Sequence, residues 1–284
     1  MSRIRDLLQI ASRLEAKASS PESGAGINQG MRDAAGLSHI ETEEVVIALE
    51  SRLVYHTDHQ SPAADRFRML RLRLQPVWST GRLKKILITS PLPGDGKSTV
   101  SMNLAAALSE RGKRTVLLIE ADLHHSPMTK NLGLPPRPGL AECLEGGRNP
   151  LDLVRHLSPL EWYLLPAGIP CTNATELLQG PMLSVIVDQL AAHFDWIVID
   201  SPPVIPLSDA LSLKNHTDGS LLVVRAGRTS QDAVEDAIAL LGKQHVLGVI
   251  LNAVEQLDFV KYGYGDYYSR PPGVKTTSKR PGAS

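Results

Sequence analysis

Aromatic residues are scarce in this 284-residue chain: three Trp, three Phe and six Tyr, 4% of the whole. Cysteine is scarcer still. Cys143 and Cys171 are 28 positions apart, with no Cys-x-x-Cys and no nearby His pair, which excludes a disulfide framework or a zinc site and fits a reducing compartment. An excess of charge is missing too, because 30 Lys and Arg balance 30 Asp and Glu. No global field draws the chain to nucleic acid or to an anionic membrane, so any charged partner must be met locally. There is no run of 18 apolar residues, and the start Met1-Ser-Arg-Ile-Arg-Asp6 lacks the apolar core of a secretory signal. These absences predict a cytoplasmic protein that reaches a membrane only through a partner.

What is present can build a sizeable core: 42% of residues are hydrophobic and 21% charged. At roughly 150 residues per domain, the length suggests one large α/β domain or one domain with appendages. The few aromatics are unevenly spread, since four of the six tyrosines, Tyr262, Tyr264, Tyr267 and Tyr268, fall within seven residues.

Along the chain, Ile4, Leu7, Leu8, Ala11 and Leu14 recur at helical spacing, so residues 1–17 are expected to form an amphipathic helix. Residues 18–50 open with Ser19-Ser-Pro-Glu-Ser-Gly-Ala-Gly-Ile-Asn-Gln-Gly30 and read as a flexible linker. Ser61 as N-cap and Pro62 at the first position start a helix that is expected to run to about Leu74 and to stop before Pro76. From 83 onward, short β-branched runs alternate with helical stretches: 85–89, 115–119, 162–165, 196–199, 220–224 and 247–251 as strands, and 98–111, 182–193 and 230–244 as helices. Runs apolar on both sides belong in a parallel sheet buried on both faces, which predicts a doubly wound α/β fold with ligands at the carboxyl ends of the strands. Residues 256–284 combine the tyrosine cluster with a stretch, Ser269 to Ser284, that holds four basic residues, three Pro and no acid; this reads as a disordered tail.

Ser90-Pro-Leu-Pro-Gly-Asp-Gly-Lys-Ser-Thr99 follows the first of these strands and precedes a helix. Its glycines let backbone N–H groups wrap phosphates, Lys97 reaches the β/γ oxygens, and Ser98 can ligate Mg²⁺ at a helix N-terminus. The strict pattern has Gly where Pro91 stands. Two other strands end in Glu120-Ala-Asp122 and Asp200-Ser-Pro-Pro203; such acids either hold Mg²⁺ and accept a proton or serve only as turn formers and caps. Asn252 reads an adenine edge or forms a turn.

Together with Leu164-Leu-Pro-Ala-Gly168, Asn173-Ala-Thr-Glu-Leu-Leu178, Asp209-Ala and Gly248-Val-Ile-Leu-Asn252, these motifs resemble the bacterial tyrosine kinases (BY-kinases) of exopolysaccharide and capsule synthesis, P-loop proteins related to MinD and ParA. Asp65-Arg-Phe-Arg68-Met-Leu-Arg71 is similar to that family's Glu-x-x-Arg-x-x-Arg oligomerisation motif, with Asp for Glu. The resemblance spans about residues 50 to 268 and implies a P-loop kinase domain at 51–255 with an oligomerisation helix at 61–74.

It also implies a set of roles. Lys97, Asp122, Asp200 and Glu120 would be catalytic. Pro93, Gly94, Asp95, Gly96, Lys97, Ser98, Thr99 and Asn252 would bind ATP, and Ser98, Asp122 and Asp200 would hold Mg²⁺. The acceptors would be Tyr262, Tyr264, Tyr267 and Tyr268, offered to a neighbouring subunit of a ring joined through Asp65, Arg68 and Arg71. The implied partners are a separate membrane-spanning chain-length determinant (polysaccharide co-polymerase) as activator and a cognate tyrosine phosphatase. Location would be cytoplasmic, peripheral to the inner membrane. The residues themselves leave other readings open: an aromatic edge or sticky surface for the tyrosines, a solvated charged stripe for 65–71, a MinD/ParA-like ATPase switch, or a catalytically weak nucleotide-binding scaffold. The family's second motif, Asp-x-Asp-x-Arg, is here Glu120-Ala-Asp122-Leu-His124, which bears on catalytic efficiency.

Overall fold

The structure, a computed structural model, describes residues 37–48, 51–205 and 208–254. The expected helix at 1–17, the first part of the expected linker, the tyrosine cluster and the basic tail lie outside the described residues. By its contacts the chain divides into a compact unit, Met1–Asn252, and a second unit, Ala253–Ser284, of which only 253–254 are described.

Eight strands form one sheet: β1 (Thr42–Glu44), β2 (Lys85–Thr89), β3 (Val116–Glu120), β4 (Arg155–Ser158), β5 (Trp162–Leu165), β6 (Trp196–Asp200), β7 (Gly219–Arg225) and β8 (Val246–Asn252). Their order is β1-β4-β5-β3-β6-β2-β7-β8, and every pair is parallel except β4 with β5. The chain returns between parallel neighbours through helices, chiefly α3 (Lys97–Ser109), α8 (Met182–Ala191), α9 (Asp209–Lys214) and α10 (Gln231–Leu241).

Alternation along each central strand explains why both faces must be covered. Leu87, Leu117, Ile119, Ile197, Ile199 and Leu222 point into one core. Ile86, Ile88, Leu118, Val198 and Val223 point into the other. Each such side chain contributes about 1.5–3 kcal/mol by leaving water, so neither face of the sheet is stable without its helix layer. Leu183, Ile186, Val187 and Leu190 of α8 seal the first side. Val100, Leu104, Ala105 and Leu108 of α3 seal the second, where α2 (Pro62–Ser79) adds Ala64 and Leu74.

Two expectations are corrected here. The helix starting at Pro62 does not stop before Pro76 but continues to Ser79, with Pro76 inside it. Pro76 sits on the exposed side, and the last turn is held by tertiary contacts. Trp78 stacks on Trp196 with centroids 5.6 Å apart, donates from Nε1 to the Asp195 carbonyl at 3.1 Å, and lies under the Arg114 guanidinium at 4.6 Å. Those contacts outweigh the one hydrogen bond a proline removes. Second, the stretch expected to be linker up to residue 50 contains β1, in parallel register with β4, flanked by buried Leu37 and Val45. Its three residues, Thr-Glu-Glu, carry no apolar signal. Backbone pairing and the ion pairs of Glu41 with Arg137 (3.5 Å) and Arg155 (3.7 Å) supply what hydrophobicity does not.

Candidate functional site

Because β2, β3, β6, β7 and β8 are all parallel, their carboxyl ends lie along one edge of the sheet. The register places Asp200 beside Ile88 on one side and beside Glu120 on the other, and Asn252 beside Arg225. The loop after β2 runs from Ser90 to Gly96 and enters α3 at Lys97. Its left-handed positions are Gly94 (φ 83°) and Gly96 (φ 95°). Pro91 is buried and is not among the positive-φ residues, so the missing glycine at that position demands no forbidden backbone.

The loop is held from three directions. Asp95 is buried; its Oδ1 accepts from Thr229 Oγ1 at 2.7 Å and its Oδ2 from Leu92 N at 3.3 Å. Asn252 Nδ2 donates to the Asp95 carbonyl at 2.9 Å, and Arg225 Nη1 donates to the Gly94 carbonyl at 3.2 Å. Gly96 must be glycine on a second count, since a Cβ there would lie 2.1 Å from Asn252 Nδ2. Asn252, expected to read an adenine edge or form a turn, spends this donor on the loop itself.

Below the loop sit the charged groups. Ser98 Oγ donates to Asp200 Oδ2 at 2.7 Å, and Ser101 Oγ donates to Asp200 Oδ1 at 2.9 Å. Burial pushes the Asp200 carboxyl up to about 6, against the opposing pull of Lys97, Ser98 and Ser101, and the Asp122 charge raises it further. Lys97 Nζ lies 3.1 Å from Asp122 Oδ2. Asp122 is 3% exposed, and its Oδ1 has no hydrogen-bond partner; the nearest charge-capable group is His125 Nδ1 at 3.6 Å, on a side chain that is 78% exposed. A buried carboxylate oxygen left unpaired is costly, and here it faces the ligand side of a phosphate loop.

Ser98, Asp200 and the open Asp122 oxygen are a hard, all-oxygen donor set, which fits Mg²⁺. Among the described residues no three His, Cys, Asp or Glu side chains converge on one point. That suits Mg²⁺ shared with nucleotide phosphates and water, the usual mode for this ion, and not a closed protein cage.

Glu120 is placed differently from its three expected companions. It is fully buried, its Oε1 accepts from Met128 N at 2.6 Å, and its Oε2 accepts from Thr129 Oγ1 at 2.7 Å and Ala167 N at 3.3 Å. Burial raises its pKa while those hydrogen bonds lower it. His124, where the resemblance has Arg, bonds through Nε2 to Asp209 Oδ2 at 2.8 Å, fastening the turn after β3 to the first residue of α9. Pro93 and Gly94 are exposed at the tip of the loop, and Thr99 is half-buried in the first turn of α3, its carbonyl accepting from Asn103 Nδ2 at 2.8 Å.

Asp65, Arg68 and Arg71 lie at the far end of α3. Arg68 pairs with Asp65 and donates to the His59 carbonyl, and Arg71 pairs with Glu110 at 3.6 Å. Within one chain these groups are therefore already engaged. Reading the sequence missed Ser101, Arg225 and Thr229, and named Asp209 only as part of the resemblance, without a role. The signal for Arg225 was accessible, because it closes a strand that the apolar run at 220–224 predicts.

Comparison with known proteins agrees with this geometry. The ParA family model, described as NUBPL iron-transfer P-loop NTPase, matches residues 82–259. The tyrosine-protein kinase CpsD of Streptococcus agalactiae serotype III is 35% identical over 218 residues, covering 75% of this chain and 91% of CpsD. EpsB of Ralstonia nicotianae is 32% identical over 258 residues, covering 85% of this chain; the chain spans 34% of the length of that longer relative. Among solved structures, the BceF tyrosine kinase domain superposes with a TM-score of 0.63 at 27% identity, covering 86% of this chain and 98% of that one. By the family match over residues 82–259 and the identity to CpsD over most of both chains, the chain belongs to the bacterial tyrosine-kinase family of ParA-type P-loop NTPases.

Proposed function

We propose that the chain is an ATP-dependent protein-tyrosine kinase that phosphorylates Tyr262, Tyr264, Tyr267 and Tyr268 of its own tail, in trans between subunits. The observation that carries this reading is Asp122, one oxygen on Lys97 and the other unpartnered and buried beside the phosphate loop. A phenol of pKa about 10 is a weak nucleophile at neutral pH, so placement must do most of the activation. The tyrosine oxygen attacks the γ-phosphorus as the bond to the β–γ bridging oxygen breaks and ADP leaves. The phenolic proton passes to Asp122 Oδ1, and Lys97 with the loop N–H groups stabilises charge on the phosphoryl oxygens. Mg²⁺, which Ser98 and Asp200 would hold while Asp122 Oδ1 is kept for the proton, would neutralise further phosphate charge.

In this reading Asp65, Arg68 and Arg71 exchange their intrachain partners for acids of the next protomer in a ring. Each phosphotyrosine adds about −1.5 to −2 charge, so multiple phosphorylation opposes ring closure. The activator is a membrane-spanning chain-length determinant on a separate chain, which would bring the kinase to the inner membrane. A tyrosine phosphatase resets the tail, and the process regulates exopolysaccharide or capsule polymerisation or export. Among the described residues no helix is long and apolar enough to cross a membrane.

The test is incubation with Mg-ATP, with and without a cytosolic peptide of the membrane partner, followed by phosphosite mapping with a Lys97→Met control. Phosphate on the tyrosines of 262–268 that disappears in the control is the expected result. Phosphate release without labelled tyrosine would instead establish an ATPase switch, and nucleotide binding without turnover a scaffold.

A further inference from the structure

Two helices on opposite faces of the sheet present exposed surfaces of opposite charge. α2 packs Ala64 and Leu74 into one core, and α10 packs Val234, Ala237 and Leu241 into the other. Within one chain the eight-stranded sheet therefore stands between them. Each helix also has a side that stays exposed.

On α2 that side carries Arg66, Met69, Leu72, Arg73 and Pro76. Steps of three and four residues keep these positions on one stripe of a helix with 3.6 residues per turn. Met69 and Leu72 are 53% and 50% exposed and adjoin at i, i+3, an apolar centre between the two arginines. The one acid of this helix, Asp65, is half-buried and paired with Arg68. The charge that α2 shows to solvent is therefore positive.

α10 is the counterpart. Its exposed side carries Asp232, Glu235, Asp236 and Ala239, with Leu240 at the margin, 47% exposed. Every charged residue of this helix is an acid. Glu235 accepts from Gln231 Nε2 at 2.7 Å, and among the described residues no ion pair joins any of the three acids, or Arg73, to an opposite charge. The dimensions agree too. Arg66 to Arg73 spans about 10 Å along α2 and Asp232 to Leu240 about 12 Å along α10, at roughly 1.5 Å per residue.

We propose that the acidic face of α10 receives α2 of a second copy of this chain. Arg66 and Arg73 meet Asp232, Glu235 and Asp236, while Met69 and Leu72 pack on Ala239 and Leu240. The occupant is a second copy because the two surfaces complement each other and neither complements itself. Pairing α2 with α2 across a two-fold axis would set arginine against arginine, and pairing α10 with α10 would set acid against acid. The contact is therefore heterologous: each protomer uses its α2 on one neighbour and its α10 on another, so the series closes as a ring or runs on as a filament. The chain as a whole is neutral, so long-range repulsion between copies does not oppose their approach. The inference rests on the ring of the proposed function and names the acids that such a ring needs. It leaves the bonds of Arg68 to Asp65 and His59, and of Arg71 to Glu110, in place, because docking uses the exposed stripe of α2.

The test is a charge swap read as molar mass, by light scattering after size exclusion, on the full dephosphorylated chain without ATP. Arg66→Glu/Arg73→Glu makes the α2 stripe acidic, and Asp232→Lys/Glu235→Lys/Asp236→Lys makes the α10 face basic. The native chain is expected to exceed monomer mass, and each variant alone to need at least tenfold higher concentration to assemble. An equimolar mixture of the two variants is expected to assemble as the native chain does, because each acidic α2 then finds a basic α10 and each native α2 a native α10. Unchanged Mg-ADP affinity shows that the variants are folded, and Arg73→Glu and Asp236→Lys repeat the test singly at exposed positions. A variant that assembles like the native chain, or a mixture that stays monomeric, would overturn the proposal. So would a native chain of monomer mass at every concentration, which would assign the α2 stripe to a different protein. No phosphate is transferred in this assay, so an inactive kinase leaves its result standing, and loss of this contact leaves the phosphosite map to be judged by itself.

Discussion

Asp200 offers the most direct test of the site's electrostatics. It is fully buried, and in the metal-free protein its carboxyl is pushed up from 3.8 to about 6, chiefly by burial. The unfolded chain releases this proton near 4 and the folded chain only near 6, so between those values the folded state holds more protons. Stability from this group therefore falls as pH rises from about 4 to about 6, and above 6 the whole cost remains, about 3 kcal/mol. Asp200→Asn removes that charge while keeping a polar group for the Ser98 and Ser101 hydroxyls, which can reorient to accept. In EDTA at pH 8 the variant should be more stable than the native protein by up to about 3 kcal/mol, roughly 6–12 °C in Tm for a domain of this size. At pH 4.5 most of the difference should vanish. With Mg-ADP the order should reverse, because the native protein gains a ligand that the variant binds poorly. Scanning calorimetry at the two pH values, with EDTA or Mg-ADP, measures all of this. A variant no more stable than the native protein at pH 8 in EDTA would refute the argument that burial of charge dominates this site.

Gly96→Ala should abolish ATP binding, measured by titration of a fluorescent nucleotide, and should cost about 1–3 kcal/mol in urea denaturation, because it combines φ 95° with a Cβ 2.1 Å from Asn252 Nδ2. Trp78→Ala should cost about 3 kcal/mol by the same assay without altering nucleotide affinity, because it removes the stack on Trp196 and the bond to the Asp195 carbonyl far from the loop.

The readable part of the fold is the part whose signal is hydrophobic. All six strands expected from apolar runs are present, and both faces of the sheet are buried as uninterrupted β-branched runs require. The strands that escaped notice, β1 and β4, have no such run; in β4 only Leu157 is buried. Helices of four to six residues, such as α4 (Pro127–Asn131), α6 (Pro150–Leu153) and α7 (Ala174–Gln179), are too short to show a 3.6-residue period. At the site, Lys97 and Ser98 were legible because the phosphate loop is a local motif, and Asp122 and Asp200 because they follow strands. The residues that hold the loop were not, because their bonds join positions far apart in the chain: Arg225 to Gly94 across 131 residues and Thr229 to Asp95 across 134. Periodicity says which face of an element is buried but not which distant loop will meet it.

The departure at Glu120 gains a physical account from the same geometry. Glu120 and Asp200 are register neighbours on adjacent strands, and two buried carboxylates that close would each raise the other's pKa if both faced the ligand. The longer side chain resolves the conflict by reaching away from the phosphate loop, to Met128 N, Thr129 Oγ1 and Ala167 N. One oxygen thereby satisfies the amide of the second residue of α4, among the helix N–H groups that have no partner within the helix. The other ties α4 to the chain leaving β5. An aspartate at 120 is one methylene shorter, so its carboxyl oxygens would sit farther from these donors. On the proposed kinase reading, proton acceptance then falls to Asp122, whose Oδ1 has no hydrogen-bond partner among the described residues, whereas both Asp200 oxygens accept from serine hydroxyls. His124 works in the same direction, since its bond to Asp209 anchors the turn that carries Asp122. The two deviations from the family's second motif thus both stabilise the position of the residue between them, and neither removes a donor from the ligand side of the site.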